Sequence, residues 1–195
     1  VKEFLAKTRG RFFVLLNKIL KRSVHVGKGI RLYTKFSVIG KGKVYIGENF
    51  AVHGIVGDRR QYVTIETYSP DAVVNIGDNV NLYAARISAK FRITLGNDVL
   101  VEESGIVDTA FHSLDKGRTF PEDESEAKCS IMIGSRVCIG ARSIILKGVS
   151  IGDDVLVGPG SVVARSISSG KVVLGNPAKE YKTGSDNRKS IGPLN

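Results

Sequence analysis

Tryptophan is absent from this 195-residue chain, methionine occurs once and cysteine twice. No apolar run approaches the roughly 18 residues of a membrane-spanning helix, so none is expected. The first residues lack an apolar stretch ending in a small-residue cleavage site, which argues against a secretory signal. Two thiols, Cys129 and Cys138, cannot build a disulfide framework, and they show no metal-ligand spacing with His25, His53 or His112. They read as free thiols of a reducing cytoplasm, and no metal is expected.

Acidic charge is scarce only at the ends. Residues 1–22 hold seven basic residues against one acid, a net +6, and residues 165–195 hold six against two, a net +4. The intervening body is neutral, so the whole net charge of +10 sits in the two flanks. A nucleic-acid reader would spread a basic stripe over its folded body. Nucleic acid is therefore not an expected partner.

What is present is a period. Isoleucine or valine recurs at Ile133, Ile139, Ile145, Ile151, Val157 and Val163, with Val137, Ser143, Val149, Val155 and Ser161 in a second register. Helices repeat at about 3.6 residues and strands at 2, so a step of six belongs to neither. It marks an all-β solenoid, a parallel β-helix in which short strands stack coil on coil. The aliphatic residues point inward, and the glycines Gly134, Gly140, Gly152 and Gly158 are expected to permit the corner turns. Looser blocks precede it: Ile46-Gly47 with Val52, Ile76-Gly77 with Leu82, and Leu95-Gly96 with Val101 and Val107. The step from Val107 to Ile133 exceeds three hexapeptides by eight residues, which predicts a loop thrown out of the coils at about 108–130.

One catalytic domain is expected over residues 23–182, followed by a flexible tail at 183–195. Residues 1–22 read as a basic amphipathic helix, with Leu5, Phe12, Leu15, Leu16 and Ile19 at helical spacing. It either caps the open end of the solenoid or lies on an anionic membrane as a peripheral contact. The general need for a cap favours the first.

The extruded loop carries His112, flanked by Asp108 and Asp115. A histidine there can act as general base, because its ordinary pKa of about 6.5 lies near operating pH. Asp108, Asp115 or a glutamate of the run 122–126 is available to orient the ring.

The run from Ile133 to Val163, the histidine loop and the turn Gly175-Asn-Pro-Ala-Lys179 resemble the left-handed β-helix acetyltransferases, notably the galactoside, maltose and polysaccharide O-acetyltransferases. The resemblance covers roughly residues 74–182. It implies acetyl-coenzyme A as co-substrate, His112 as the base that deprotonates a sugar hydroxyl, and the backbone amide of Ala141 as oxyanion donor. It also implies pantetheine running past Pro159 and Ala164, and phosphates meeting Lys179 and Lys182, with Arg165 a further candidate. A homotrimer with sites between subunits is implied as well. The chain departs from the family's usual residues at Cys138, Ala164 and Ala110.

The resulting expectation is a cytoplasmic sugar O-acetyltransferase, free or at the inner face of the membrane, that acts on a cell-surface polysaccharide or lipopolysaccharide precursor. The alternatives are an N-acyltransferase for a nucleotide-linked amino sugar and a non-catalytic β-helix module. A γ-class carbonic anhydrase shares the scaffold, but the three isolated histidines do not supply its zinc ligands.

Overall fold

A computed structural model describes residues 1–20, 23–55, 62–112, 116–117 and 124–181. The chain folds as a left-handed parallel β-helix, a three-sided prism behind a single long helix. The first face stacks Val24–Val26, Lys43–Ile46, Val73–Ile76, Arg92–Leu95, Ile131–Ile133 and Ser150–Ile151. The second stacks Arg31–Leu32, Ala51–His53, Asn81–Tyr83, Leu100–Glu102, Cys138–Ile139, Leu156–Val157 and Val172–Leu174. The third stacks Phe36–Gly40, Val63–Thr67, Arg86–Ala89, Gly105–Val107, Ile144–Ile145 and Val162–Val163. All these pairings are parallel; after Leu174 the chain reverses and Lys179–Glu180 pairs antiparallel with Val172–Leu174.

Both hexapeptide registers point inward. Ile133, Ile139, Ile145, Ile151, Val157 and Val163 are buried, as are Val137, Ser143, Val149, Val155 and Ser161. Each buried isoleucine or valine contributes about 1.5–3 kcal/mol by leaving water, and stacking makes the core continuous along the axis.

Two details differ from the sequence expectation. The inward residue after Val101 is Ile106, which pairs with Ile145, while Val107 is only half buried. The corner there is one residue shorter than a hexapeptide allows. The glycines after the first-face aliphatics also do not make the turn. Positive φ falls two residues later, at Asn49, Asn79, Asp98, Arg136 and Asp154, and Asn and Asp tolerate that region better than most side chains. The glycines permit close stacking instead: a Cβ on Gly96 would lie 2.7 Å from the Gly134 carbonyl carbon.

Helix α1 (Lys2–Ile19) lies across the open end of the prism. Its buried face is Ala6, Gly10 and Asn17, with Phe13 and Val14 against the core. Gly10 allows the approach, since a Cβ there would sit 2.6 Å from the Ile30 carbonyl oxygen. Phe13 meets Phe36 in a tilted contact at 5.0 Å, and Phe36 meets the buried Phe50 at 5.6 Å. The helix thus covers the apolar end, as a cap would. The five apolar residues that signalled it, however, all point the other way, into solvent.

Candidate functional site

The residues picked out by sequence sort onto two edges of the third face. At the third–first edge the chain leaves the coils after Val107 and returns at Ile131. No further coil intervenes, because Ile133 pairs directly with Leu95. The excursion therefore takes up the whole interval 108–130 between Val107 and Ile131.

Carboxylates fasten this excursion. Asp108 is fully buried and accepts the backbone N–H groups of Lys90 at 2.6 Å and Phe91 at 2.9 Å. Burial raises its pKa, and these amide donors offset only part of that rise. Both oxygens serve the loop's root. Among the described residues no hydrogen bond joins Asp108 to His112, so the expected orienting role is replaced by an anchoring one.

Glu124, with 1% of its side chain exposed, ties the far end of the excursion to its beginning. It accepts the Ala110 N–H and the Thr109 hydroxyl, and pairs at 2.9 Å with both Lys90 and Lys147, one coil to either side. Burial alone would raise its pKa; the Ala110 amide, Lys147, Lys90 and Thr109 outweigh that and hold it at about 2. Nothing in the sequence singled out Glu124 from its acidic neighbours. Short helix α2 (Glu126–Cys129) follows, with Glu126 on Arg92 at 2.6 Å.

Between these anchors the chain presents His112. Phe111 adopts φ of +59° and sets its ring edge-on to Tyr68 at 5.0 Å, while the His112 N–H donates to the Ala110 carbonyl at 2.7 Å. The imidazole is exposed. Asp115 and Glu122 lie outside the described residues. The other histidines stand elsewhere: His25 stacks on Tyr45, and His53 lies between Tyr33 and Tyr83 on the second face.

The second–third edge carries Ala141. Val101 to Ile106 is a step of five and Ile139 to Ile145 a step of six, although each pair spans the same corner. The later coil therefore has an extra corner residue. In the tighter coils the corner amides bond downward, Ala84 to the His53 carbonyl and Glu103 to the Tyr83 carbonyl. Among the described residues, neither Ala141 nor Arg142 donates its N–H to an acceptor.

Buried serines hold this corner. Ser104 Oγ donates to the Gly140 carbonyl at 2.9 Å and accepts the Ser143 N–H at 3.1 Å, and Ser143 Oγ donates to the Gly158 carbonyl at 3.1 Å. Beside them runs an open groove of about 630 Å³, lined among others by Arg86, Glu103, Arg142 and Ile144. The paired Glu103 and Arg142 are 3.4 Å apart. The groove was missed in the sequence, although the change from five to six is a signal that could have found it.

The coenzyme candidates divide in the same way. Pro159 occupies the corner position of Ala141 one coil on, and the Gly160 N–H bonds the Ala141 carbonyl at 2.8 Å. Lys179 continues this edge, because it pairs with Leu174 beside Gly158. Ala164 and Arg165 follow Val163 on the edge of His112, and both are exposed. Lys182 lies outside the described residues. In one chain, then, His112 and Ala141 stand on opposite margins of the third face.

Residues 130–165 match the family described as bacterial transferase hexapeptide (six repeats). No curated protein matches the chain. Among solved structures it is similar to AntD, an N-acyltransferase from Bacillus cereus in complex with dTDP and 3-hydroxybutyryl-CoA (TM-score 0.65, 20% identity, 84% of each chain covered). It is also similar to a galactoside acetyltransferase in complex with coenzyme A (TM-score 0.55, 20% identity, 93% of this chain and 80% of that one). A third is the acetyltransferase domain of PglB from Neisseria gonorrhoeae with acetyl coenzyme A (TM-score 0.53, 16% identity, 90% of this chain and 67% of that one). In repeat and fold the chain resembles the left-handed β-helix acetyltransferases.

Proposed function

We propose that the chain is an acyl-coenzyme A-dependent sugar acyltransferase, moving acetyl to a hydroxyl of a cell-surface polysaccharide or lipopolysaccharide precursor. The observation that carries this is the exposed His112 on an anchored excursion, together with the free amide of Ala141 at a widened corner. Because the two lie on opposite margins of one chain's third face, a complete site takes His112 from one subunit and Ala141 from the next. A homotrimer supplies three such sites. Exposed Met132, Ile144, Leu156 and Leu174 on the last coils are the apolar surface such an assembly would cover.

In the reaction the neutral imidazole of His112 accepts the proton of the acceptor hydroxyl as its oxygen attacks the thioester carbonyl. The developing oxyanion takes the Ala141 N–H. Collapse breaks the carbon–sulfur bond and expels the thiolate of coenzyme A, which recovers the proton from the imidazolium. Pro159 and Ala164 flank the pantetheine arm, and Lys179, with Lys182 and Arg165, faces the phosphates. Neutral imidazole would serve an amine acceptor equally, and the AntD likeness supports that second reading. Mild hydroxylamine treatment of the product separates them, because it removes an O-acetyl ester and leaves an N-acetyl amide.

Mixed trimers test the site itself. His112→Ala removes the base and Ala141→Pro removes the amide hydrogen. Pro159 already holds the equivalent corner position, so proline fits there. Each variant alone should be nearly inactive, while their co-expressed mixture should regain activity through sites with both native groups. Mixed trimers as inactive as either parent would refute a site shared between subunits.

A further inference from the structure

We propose that the outward face of α1 docks on an anionic phospholipid surface. The helix has two apolar faces, and only one is spent on the fold. Ala6, Gly10, Phe13 and Asn17 face the prism. On the opposite side Phe4 is 72% exposed, Phe12 63% and Ile19 66%, with Leu5, Leu15 and Leu16 also exposed. At about 3.6 residues per turn these six fall within roughly a third of the helix circumference. Cations border that stripe on both sides: Lys2 and Arg9, whose guanidinium also donates to the Tyr33 carbonyl at 3.3 Å, along one margin, and Arg11 and Lys18 along the other. The remaining helix cation, Lys7, pairs with Glu3 on the far side at 2.8 Å.

An apolar stripe between two cationic margins is the pattern of a helix lying in a membrane interface, with rings and aliphatic chains below the headgroups and cations among the phosphates. Past the end of α1 lies a groove of about 480 Å³, lined by Leu20, Val24, Val38 and Ile39 together with Ser23, Ser37 and Lys41. Leu20 and Ile39 are each about half exposed. Capping and docking, the two alternatives posed by the sequence, are thus carried by different faces of one helix. Among the described residues no helix is long and apolar enough to cross a membrane.

Vesicle flotation tests this with the intact chain. Binding to vesicles of 70% phosphatidylcholine and 30% phosphatidylglycerol should be at least tenfold tighter than to phosphatidylcholine alone, and should weaken severalfold at high salt. The triple variant Phe12→Gln, Leu15→Gln, Ile19→Gln should lose binding by tenfold or more and keep the parent melting temperature, because these side chains face away from the prism. Absence of flotation by the parent protein, or equal flotation by the variant, would overturn the proposal. So would a variant that drops to a smaller assembly in light scattering, since that outcome assigns the stripe to a second copy of the chain.

Discussion

The two edges of the third face come from one repeat and solve opposite chemical problems. Along the second–third edge the chain offers a backbone group. It needs no special side chain for this, only a corner that grows from a step of five to a step of six and leaves the Ala141 amide without its downward acceptor. Serine hydroxyls keep that corner satisfied internally. Along the third–first edge the chain presents a side chain that, on the function proposed, gains and loses a proton. No coil position projects far enough, so the coil is abandoned for 108–130 and the departure is secured by buried charge. A donor amide comes from regularity slightly altered, whereas an acid–base group requires regularity broken.

The largest effects should separate these two contributions. His112→Ala is expected to lower turnover by about two to four orders of magnitude, the usual span for a positioned general base. Ala141→Pro should cost about two to three, the range for one oxyanion donor. Both should leave the affinity for coenzyme A and the melting temperature close to the parent, measured by steady-state kinetics, calorimetry and thermal melting. A His112→Ala protein with parental turnover would remove the third–first edge from the chemistry.

Legibility followed regularity in the same way. The coils from Ile133 to Val163 were readable because each keeps its step of six, so inward positions follow by counting. Counting failed at Val107, where a shortened corner moves the inward position to Ile106. Within 108–130 there was nothing to count, since an excursion has no period. Glu124 was not legible as an anchor because its partners Lys90 and Lys147 lie 34 and 23 residues away and meet it only through coil stacking. In α1 the exposed stripe announced the helix, while the capping face had to be seen packed, with Gly10 against Ile30. The proposed base was visible as a histidine in a loop; what holds that loop was not.

A middle-sized effect tests the charged anchor. Glu124 titrates near 2 in the fold against an ordinary 4.5, so its stabilisation is complete above about pH 4.5 and disappears as pH falls toward 2. Glu124→Gln keeps the shape but leaves Lys90 and Lys147 without that charge, and should lower the melting temperature at pH 7 by roughly 5–10 °C. The difference from the parent should close on acidification through that window. Asp108 has the opposite sign: its raised pKa costs stability as pH rises past the ordinary carboxyl value. It is present in both proteins, so the comparison isolates Glu124. A gap undiminished at pH 2.5 would show that the carboxylate charge is not what closes the loop.

The smallest effect concerns the far end of the second–third edge. Lys179 is exposed, and with Pro159 it continues the line from Ala141, so reversing its charge probes whether coenzyme phosphates lie along that line. Lys179→Glu should weaken coenzyme A binding by about tenfold, a difference of about 1.4 kcal/mol. The loss should shrink at high salt, because the site is open to screening. Turnover at saturating acetyl-coenzyme A should stay near the parent value, since the contact proposed for the lysine is with the phosphates and not with the thioester or the acceptor. In melting experiments the unliganded variant should match the parent, and only the upward shift produced by coenzyme A should diminish. Unchanged affinity would move the phosphates off this edge, leaving Arg165 on the other edge of the third face as the cation to test; a changed turnover at saturation would mean that the lysine acts on the reacting groups themselves.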